Sequence, residues 1–399
     1  MTVPDLRTVA AGVAADLQSA GFTAWFAGGC VRDELLGLQP KDFDIATDAS
    51  PEQVLAVFPR ARSIGVSFGV MLVNRLGVSI EVATFREEGH YSDHRRPDSV
   101  HFTDAKHDAM RRDFTINGLF QDPVTGECHD FVDGRADLEA GILRAIGDPA
   151  ARFEEDHLRM LRAMRFVACL GVRLDAQTEA AIALHASELS GVSRERIGEE
   201  LRRLLQCGGR VAGIQLFERL GLGEAVFGSA AGSSAFPRLD CVGLEPAALL
   251  AAWALDRAGG VVDIDQCVTL WRQQLLLSNE QRDGMRAYLS THETLFAWDA
   301  MGVAARKRLA ASRWCEAALR MVEAVDGPRA AAVRGDIESL AATGLNPPRI
   351  LSGDALLADG MPSGPTFGDV LEQVYDAQLE GRVRTIDEAL QLARRLSAR

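Results

Sequence analysis

Gly28-Gly29-Cys30-Val31-Arg32-Asp33, followed after a short spacer by Lys41-Asp42-Phe43-Asp44, is the stretch on which the fold turns. Residues two apart on extended chain share a face, so Asp42 and Asp44 are expected side by side on a strand over 42–46. Two like charges at that spacing repel, and a hard divalent cation such as Mg²⁺ relieves the repulsion while leaving room for substrate phosphates. Gly28 and Gly29 let the backbone approach a ligand closely, and a helix beginning near Val31 and ending near Gly37 would aim amide donors at a triphosphate. Gly-Gly alone is a common turn and Asp-x-Asp alone a common surface pattern. The ordered combination of strand, Gly-Gly, helix, strand and Asp-x-Asp is the specific signal.

Upstream, Leu6, Val9, Val13 and Leu17 give an amphipathic helix over 5–20, and a short strand is expected at 23–27. Downstream, 70–73 and 78–85 are rich in β-branched residues around Asn74 and Gly77, which predicts a hairpin. Glu81 would open the strand 81–86 and add a third carboxylate, enough for two metals. From about 150 strand signals nearly vanish, and helices are expected at 153–170, 176–189, 194–206 and 211–220, with a last one at 386–397. The Gly- and Ser-rich segment 228–235 reads as a loop or linker.

The composition, 47% hydrophobic and 25% charged over 399 residues, is that of an ordinary globular chain. No apolar run is long enough for a membrane span and the first residues lack a leader pattern, so a cytoplasmic protein with no membrane partner is expected. The net charge of −13 argues against a chain coated in nucleic acid, yet its positive charge is local and almost all arginine, with lysine only at 41, 106 and 307. Seven scattered cysteines without CxxC spacing argue against a zinc ribbon or a disulfide framework and read as small packed residues. Four of the five tryptophans follow residue 250; stacking on RNA and helical core packing both remain open, with core packing favoured.

Three further motifs follow the glycine pair in order: Arg111-Arg112-Asp113-Phe114-Thr115-Ile116-Asn117, then Glu155-Asp156-His157-Leu158-Arg159-Met160-Leu161-Arg162-Ala163-Met164-Arg165-Phe166, then Ser193-Arg194-Glu195-Arg196-Ile197. Over residues 24 to about 206 the set resembles the class II tRNA nucleotidyltransferase and bacterial poly(A) polymerase family. The resemblance implies an α+β head of the polymerase-beta nucleotidyltransferase type, a small mixed sheet with helices, followed by an all-α neck, body and tail. The corresponding divisions would be 1–145 (catalytic head), 146–208 (neck with a nucleotide-selecting helix), 209–340 (body) and 341–399 (RNA-binding tail).

By the same resemblance Asp42 and Asp44 would bind Mg²⁺, with Glu81 as third catalytic carboxylate. Gly28, Gly29 and Arg32 would hold the triphosphate, and Arg112 with Asp113 and Asn117 would contact the nucleotide and its ribose. Asp156 and Arg159, three apart on one helix, would imitate a pairing edge and read cytosine or adenine; an exposed i,i+3 ion pair is the bland alternative. Arg162 and Arg165 continue one turn at a time and would serve base or phosphates.

The implied activity is template-independent addition to an RNA 3′ end, best read as tRNA CCA addition from CTP and ATP with pyrophosphate release, the partner being the 3′ end and acceptor arm of tRNA. The polar segment 86–98 matches a loop that helps the family switch from CTP to ATP, and 64–70 lacks the arginine-rich strand usual in bacterial poly(A) polymerases. Poly(A) synthesis and A-only or CC-only addition are the alternatives within the family, and a catalytically silent RNA-binding protein is the alternative outside it. The segment from 362 to 380 resembles a family tail, and the eight histidines show no phosphohydrolase spacing.

Overall fold

The structure, a computed structural model, describes residues 5–65, 69–89, 99–361 and 364–397. Most of the loop expected to switch nucleotides (90–98), three residues of the segment contrasted with poly(A) polymerases (66–68), and Pro362-Ser363 lie outside them. The chain divides into two compact units, Met1–Ala230 and Ala231–Arg399, and the division falls inside the Gly- and Ser-rich segment.

The first unit begins with α1 (Leu6–Ser19), whose N-terminus is capped by the Asp5 carboxylate accepting the Thr8 N–H at 3.1 Å, and whose Val9, Val13 and Leu17 face the core. Then come β1 (Ala24–Ala27), α2 (Gly29–Leu35), β2 (Ile45–Thr47), α3 (Pro51–Val57), β3 (Arg62–Gly65), β4 (Val70–Arg75), β5 (Val78–Thr84), β6 (Arg86–Glu88) and β7 (Val100–Phe102). They are followed by α4 (Ala105–Met110), β8 (Leu119–Gln121), β9 (Cys128–Asp130), α5 (Gly134–Glu139) and β10 (Ile142–Leu143). Beyond these the unit is helical: α6 (Pro149–Glu155), α7 (Leu158–Leu170), α8 (Ala176–His185), α9 (Arg194–Leu205), α10 (Arg210–Arg219) and α11 (Leu222–Phe227), interrupted by the two-residue β11 (Arg173–Leu174).

Seven strands form one mixed sheet in the order β3-β4-β5-β2-β1-β8-β9. β2 is the central strand, antiparallel to β1 and parallel to β5 with Ile45 opposite Val82, and β1 is in turn antiparallel to β8. The expected hairpin is β4–β5, and its turn takes positive φ at both Leu76 (53°) and Gly77 (83°), the twist that two-residue hairpin turns favour.

Four expectations need correction. Asp42 and Asp44 precede β2 rather than lie within it, although Phe43 and Ile45 are buried and the aspartates exposed, so the two-residue alternation survives in extended chain. Glu81 sits in the middle of β5, opposite Leu72, not at a strand start. The helix expected over 153–170 breaks at Asp156, which is extended (φ −150°, ψ 102°); its carboxylate accepts the Leu158 N–H (3.1 Å) and its carbonyl the Arg159 N–H (3.0 Å). Asp156 therefore stands before the first turn of α7, not on the same helix as Arg159. Finally, Cys169 and Cys207 are joined as a disulfide, with Cα atoms 4.7 Å apart, where the sequence suggested separate packed thiols.

The second unit is helical, and three of its four tryptophans are core. Trp253, Trp271 and Trp298 are buried, the first two edge to face at 4.8 Å and the third donating to Asp336 at 2.8 Å, whereas Trp314 is half-buried beneath the Arg313 guanidinium. A further cluster around Leu356, Val370, Val374 and Ala389 closes the C-terminal end. Among the described residues no helix is long and apolar enough to cross a membrane.

Candidate active site

The mouth of the sheet in the first unit, together with α7 and α9, encloses a cavity of about 680 Å³. Every site residue named from the sequence lines it: Gly28, Gly29, Arg32, Asp42, Asp44, Glu81, Arg112, Asp113, Asn117, Asp156, Arg159, Arg162 and Arg165. Arg111, Phe166 and Arg196 line it too.

The acidic wall follows from strand register. Because Ile45 is level with Val82 in the parallel β2–β5 pair, the position before each puts Asp44 beside Glu81, with Asp42 two residues upstream on the same side. Among the described residues none of the three makes an ion pair. Asp44 opens to the cavity, but the surrounding protein withholds water from its carboxyl; that desolvation, then the charges of Asp42 and Glu81, raise its pKa to about 6, against a smaller opposing pull from Arg112. Among the described residues no group of three His, Cys, Asp or Glu is placed to hold a metal ion, so Asp42, Asp44 and Glu81 do not make a complete site by themselves. Carboxylate oxygens are donors that a hard divalent cation takes, with water and substrate oxygens completing its shell. The residues fit such an ion.

The glycine corner is forced by crowding. Gly28 has φ 72°, and a Cβ there would lie 2.8 Å from Arg112 Nη1, so a side chain would be both strained and in collision. The Gly28 N–H is already donated to Leu119 O (2.9 Å) and α2 begins at Gly29, two residues earlier than expected. Arg112 donates to Asn117 O (3.0 Å) and, through Nε and Nη2, to buried Asp108. Asp108 also accepts from Arg111 and from the Arg86 N–H at the root of the β6–β7 ribbon.

The opposite wall is a relay of matched charges. Arg32 donates to Asn117 Oδ1 (2.6 Å), Asn117 Nδ2 to Asp113 Oδ1 (2.9 Å), and Arg162 Nε to Asp113 Oδ2 (2.8 Å). Burial would raise the Asp113 pKa, but Arg162 and the hydrogen bonds from Asn117, Arg162 and the Phe114 N–H outweigh it and hold it at about 2. Arg165 Nε donates to buried Glu200 at 2.7 Å. Phe166 sits among three guanidinium groups, with Arg165, Arg32 and Arg162 at 4.5, 5.3 and 5.4 Å from its centroid.

Asp156 and Arg159 are held apart. Asp156 accepts from Arg196 Nη2 at 2.7 Å, and Arg159 pairs with Glu155 and donates to Arg152 O at 2.9 Å. The i,i+3 pair considered from the sequence does not form. Arg196 and Phe166 each fell inside a quoted motif, 193–197 and 155–166, without a role being assigned to either.

The chain resembles known proteins in sequence and in fold. Residues 24–144 match the family model described as "Poly A polymerase head domain", and 171–231 match "Probable RNA and SrmB-binding site of polymerase A". The chain is 46% identical over 199 residues to a CCA-adding enzyme of Lactiplantibacillus plantarum, an alignment spanning 50% of this chain and about half (49%) of that relative. It is also similar to the crystal structure of the Bacillus stearothermophilus CCA-adding enzyme in complex with CTP, with a TM-score of 0.77, 28% identity and 99% of each chain covered. A CCA-adding enzyme of Lactobacillus johnsonii is 32% identical over 394 residues, 97% of either chain, and on that end-to-end likeness this protein belongs to the CCA-adding enzyme family.

Proposed function

We propose that this protein adds C, C and A to the 3′ end of tRNA, using CTP and ATP, releasing pyrophosphate, and working in the cytoplasm. The observation that carries the reading is the pairing, across one cavity, of an uncompensated carboxylate wall with a preorganised arginine wall. The catalytic head would be 1–145, with a selecting neck at 146–208, a body at 209–340 and a tail at 341–399 that grips the outer part of the tRNA.

Asp42 and Asp44, with Glu81 beside them, would hold Mg²⁺. The ion would supply Lewis-acid stabilisation of the charge that develops on the transferring phosphate. The chain's own part is binding and aim. Gly28 and Gly29 admit the triphosphate against backbone, and Arg32 and Arg112, held in place by Asn117, Asp33 and Asp108, would turn their positive charge toward its oxygens and the ribose. Asp113 and Asn117 do this indirectly: their polar atoms are spent on Arg162 and Arg32, so they fix the angle of the arginines. Asp156 and Arg159 offer an acceptor and a donor to the base edge once a nucleotide displaces Arg196 and Glu155 from them. Arg162 and Arg165, fixed by Asp113 and Glu200, close the cavity around base and phosphates.

The test is incubation of the protein with Mg²⁺, labelled CTP or ATP, singly and together, and a tRNA lacking its last three nucleotides. Addition of C, C and A in order is expected. A long adenosine ladder would replace the reading with poly(A) synthesis, and no incorporation would replace it with a silent RNA binder.

A further inference from the structure

The disulfide lies at the far end of the helix pair that forms the selecting wall. α7 carries Arg159, Arg162, Arg165 and Phe166 and reaches Cys169 one turn beyond; α9 carries Arg196 and Glu200 and is followed at once by Cys207. The approach is built into the backbone. Gly209 donates its N–H to Ala168 O (2.9 Å), and a Cβ on Gly209 would meet that oxygen at 2.7 Å, while one on Gly213 would meet Ala168 Cβ at 2.8 Å. Small residues there press the start of α10 onto the end of α7, and the resulting Cα separation of 4.7 Å is within the roughly 4.4–6.8 Å that a disulfide spans. Cys169 is exposed and Cys207 is 8% exposed, so one sulfur is open to a soluble thiol reagent and the other is sheltered behind it.

We propose that Cys169 and Cys207 are a reversible redox clasp that, when closed, fixes α7 to the end of α9 and slows the change of nucleotide from C to A. The inference rests on the function proposed above. Two contacts run from this wall to α9, Arg165 on α7 to Glu200 and Asp156 just before α7 to Arg196, so a re-pairing of either to follow a second base would be eased by a relative shift of α7 and α9. A covalent tie at their other end opposes that shift.

Closure is thiol–disulfide exchange with a small-molecule disulfide. The Cys169 thiolate attacks one sulfur of the reagent, expelling one thiolate; the Cys207 thiolate then attacks the Cys169 sulfur of the mixed disulfide and expels the second. Two protein thiols thus lose two protons and two electrons, and the reagent becomes two thiols. In a reducing compartment the pair is open by default and closes under oxidative load.

The full-length protein is equilibrated in glutathione buffers from fully reduced to fully oxidised, and three quantities are read: a cross-linked peptide joining 169 and 207, hydrogen exchange of the α7 amides, and incorporation of C and of A. Closure should slow α7 exchange on the order of tenfold. It should also slow A addition about fivefold while changing first-C addition less than about twofold. Both effects should reverse with dithiothreitol and be absent in Cys169→Ser and in Cys207→Ser. Absence of the cross-linked peptide throughout the series overturns the proposal, and so does a closed protein whose α7 exchange and A-to-C ratio equal those of the open one. A reduced protein that incorporates nothing, while its α7 exchange still follows the buffer, refutes the nucleotidyl-transfer reading and leaves the clasp standing.

Discussion

The two walls of the cavity are built on opposite electrostatic plans. On the sheet side, Asp42, Asp44 and Glu81 stand together with no ion pair among the described residues, and Asp44 shows the cost in a carboxyl raised to about 6. On the helix side Arg32, Asn117, Asp113 and Arg162 form an unbroken relay, and its central carboxylate is held at about 2. One wall is unfinished until something positive arrives, and the other is finished before anything arrives. Chemistry is to be expected where charge is left over, and orientation where it is cancelled.

The contrast predicts where activity and stability part company. Asp42→Ala or Asp44→Ala should lower incorporation about a thousandfold or more, since metal-assisted charge stabilisation is worth several kcal/mol and each tenfold about 1.36. The melting temperature without metal should hold or rise, because a repelling charge has gone. A large fall in stability would break the comparison on the acidic side. Asp113→Ala should do the reverse in kind. It strands Arg162 and Asn117 and should cost about 3–5 kcal/mol of folding stability by denaturant titration, as breaking a buried pair does; an unchanged midpoint would show that the relay is ornamental.

A pH series sharpens the same point. A carboxyl raised in the folded state favours folding at low pH and loses that contribution as pH rises through its folded value, here about 6 for Asp44. Without metal this group therefore weakens the protein between its unfolded value, near 3.8, and about 6. Mg²⁺ should compensate above about 6 and have little effect near pH 5, where the proton competes for the carboxylate. A thermal-shift titration with Mg²⁺ at the two pH values reads the difference, and equal shifts at both would remove Asp44 from the metal. The smallest effect is expected at Arg196→Ala. Freeing Asp156 should blur the choice between CTP and ATP by about five- to tenfold, with melting changed little, since half-buried ion pairs contribute about 1 kcal/mol or less.

Much of this was legible before any coordinates. The β4–β5 hairpin and α1 declared themselves through β-branched runs and helical spacing, and the site residues named from the sequence all line one cavity. The helix break at Asp156 was not legible, because Glu154-Glu155-Asp156-His157 contains no Pro or Gly and reads as continuous helix. What overrides that propensity is a tertiary bond from Arg196, 40 residues away. The partners that organise the arginine wall were missed for a related reason: Glu200 lies 35 residues from Arg165, and Asp113 lies 49 from Arg162. Cys169 and Cys207, 38 residues apart, carry no spacing signal either. Local rules report elements, whereas these contacts exist only after the elements have packed.

Phe166 has one more consequence. A flat hydrocarbon ring wedged among Arg32, Arg162 and Arg165 spaces three cations that are each already held by a carboxylate, Asp33, Asp113 and Glu200 in turn. An arriving nucleotide would then find its receptor already inflated, so recognition begins as docking into a rigid mould and not as the collapse of a loose one.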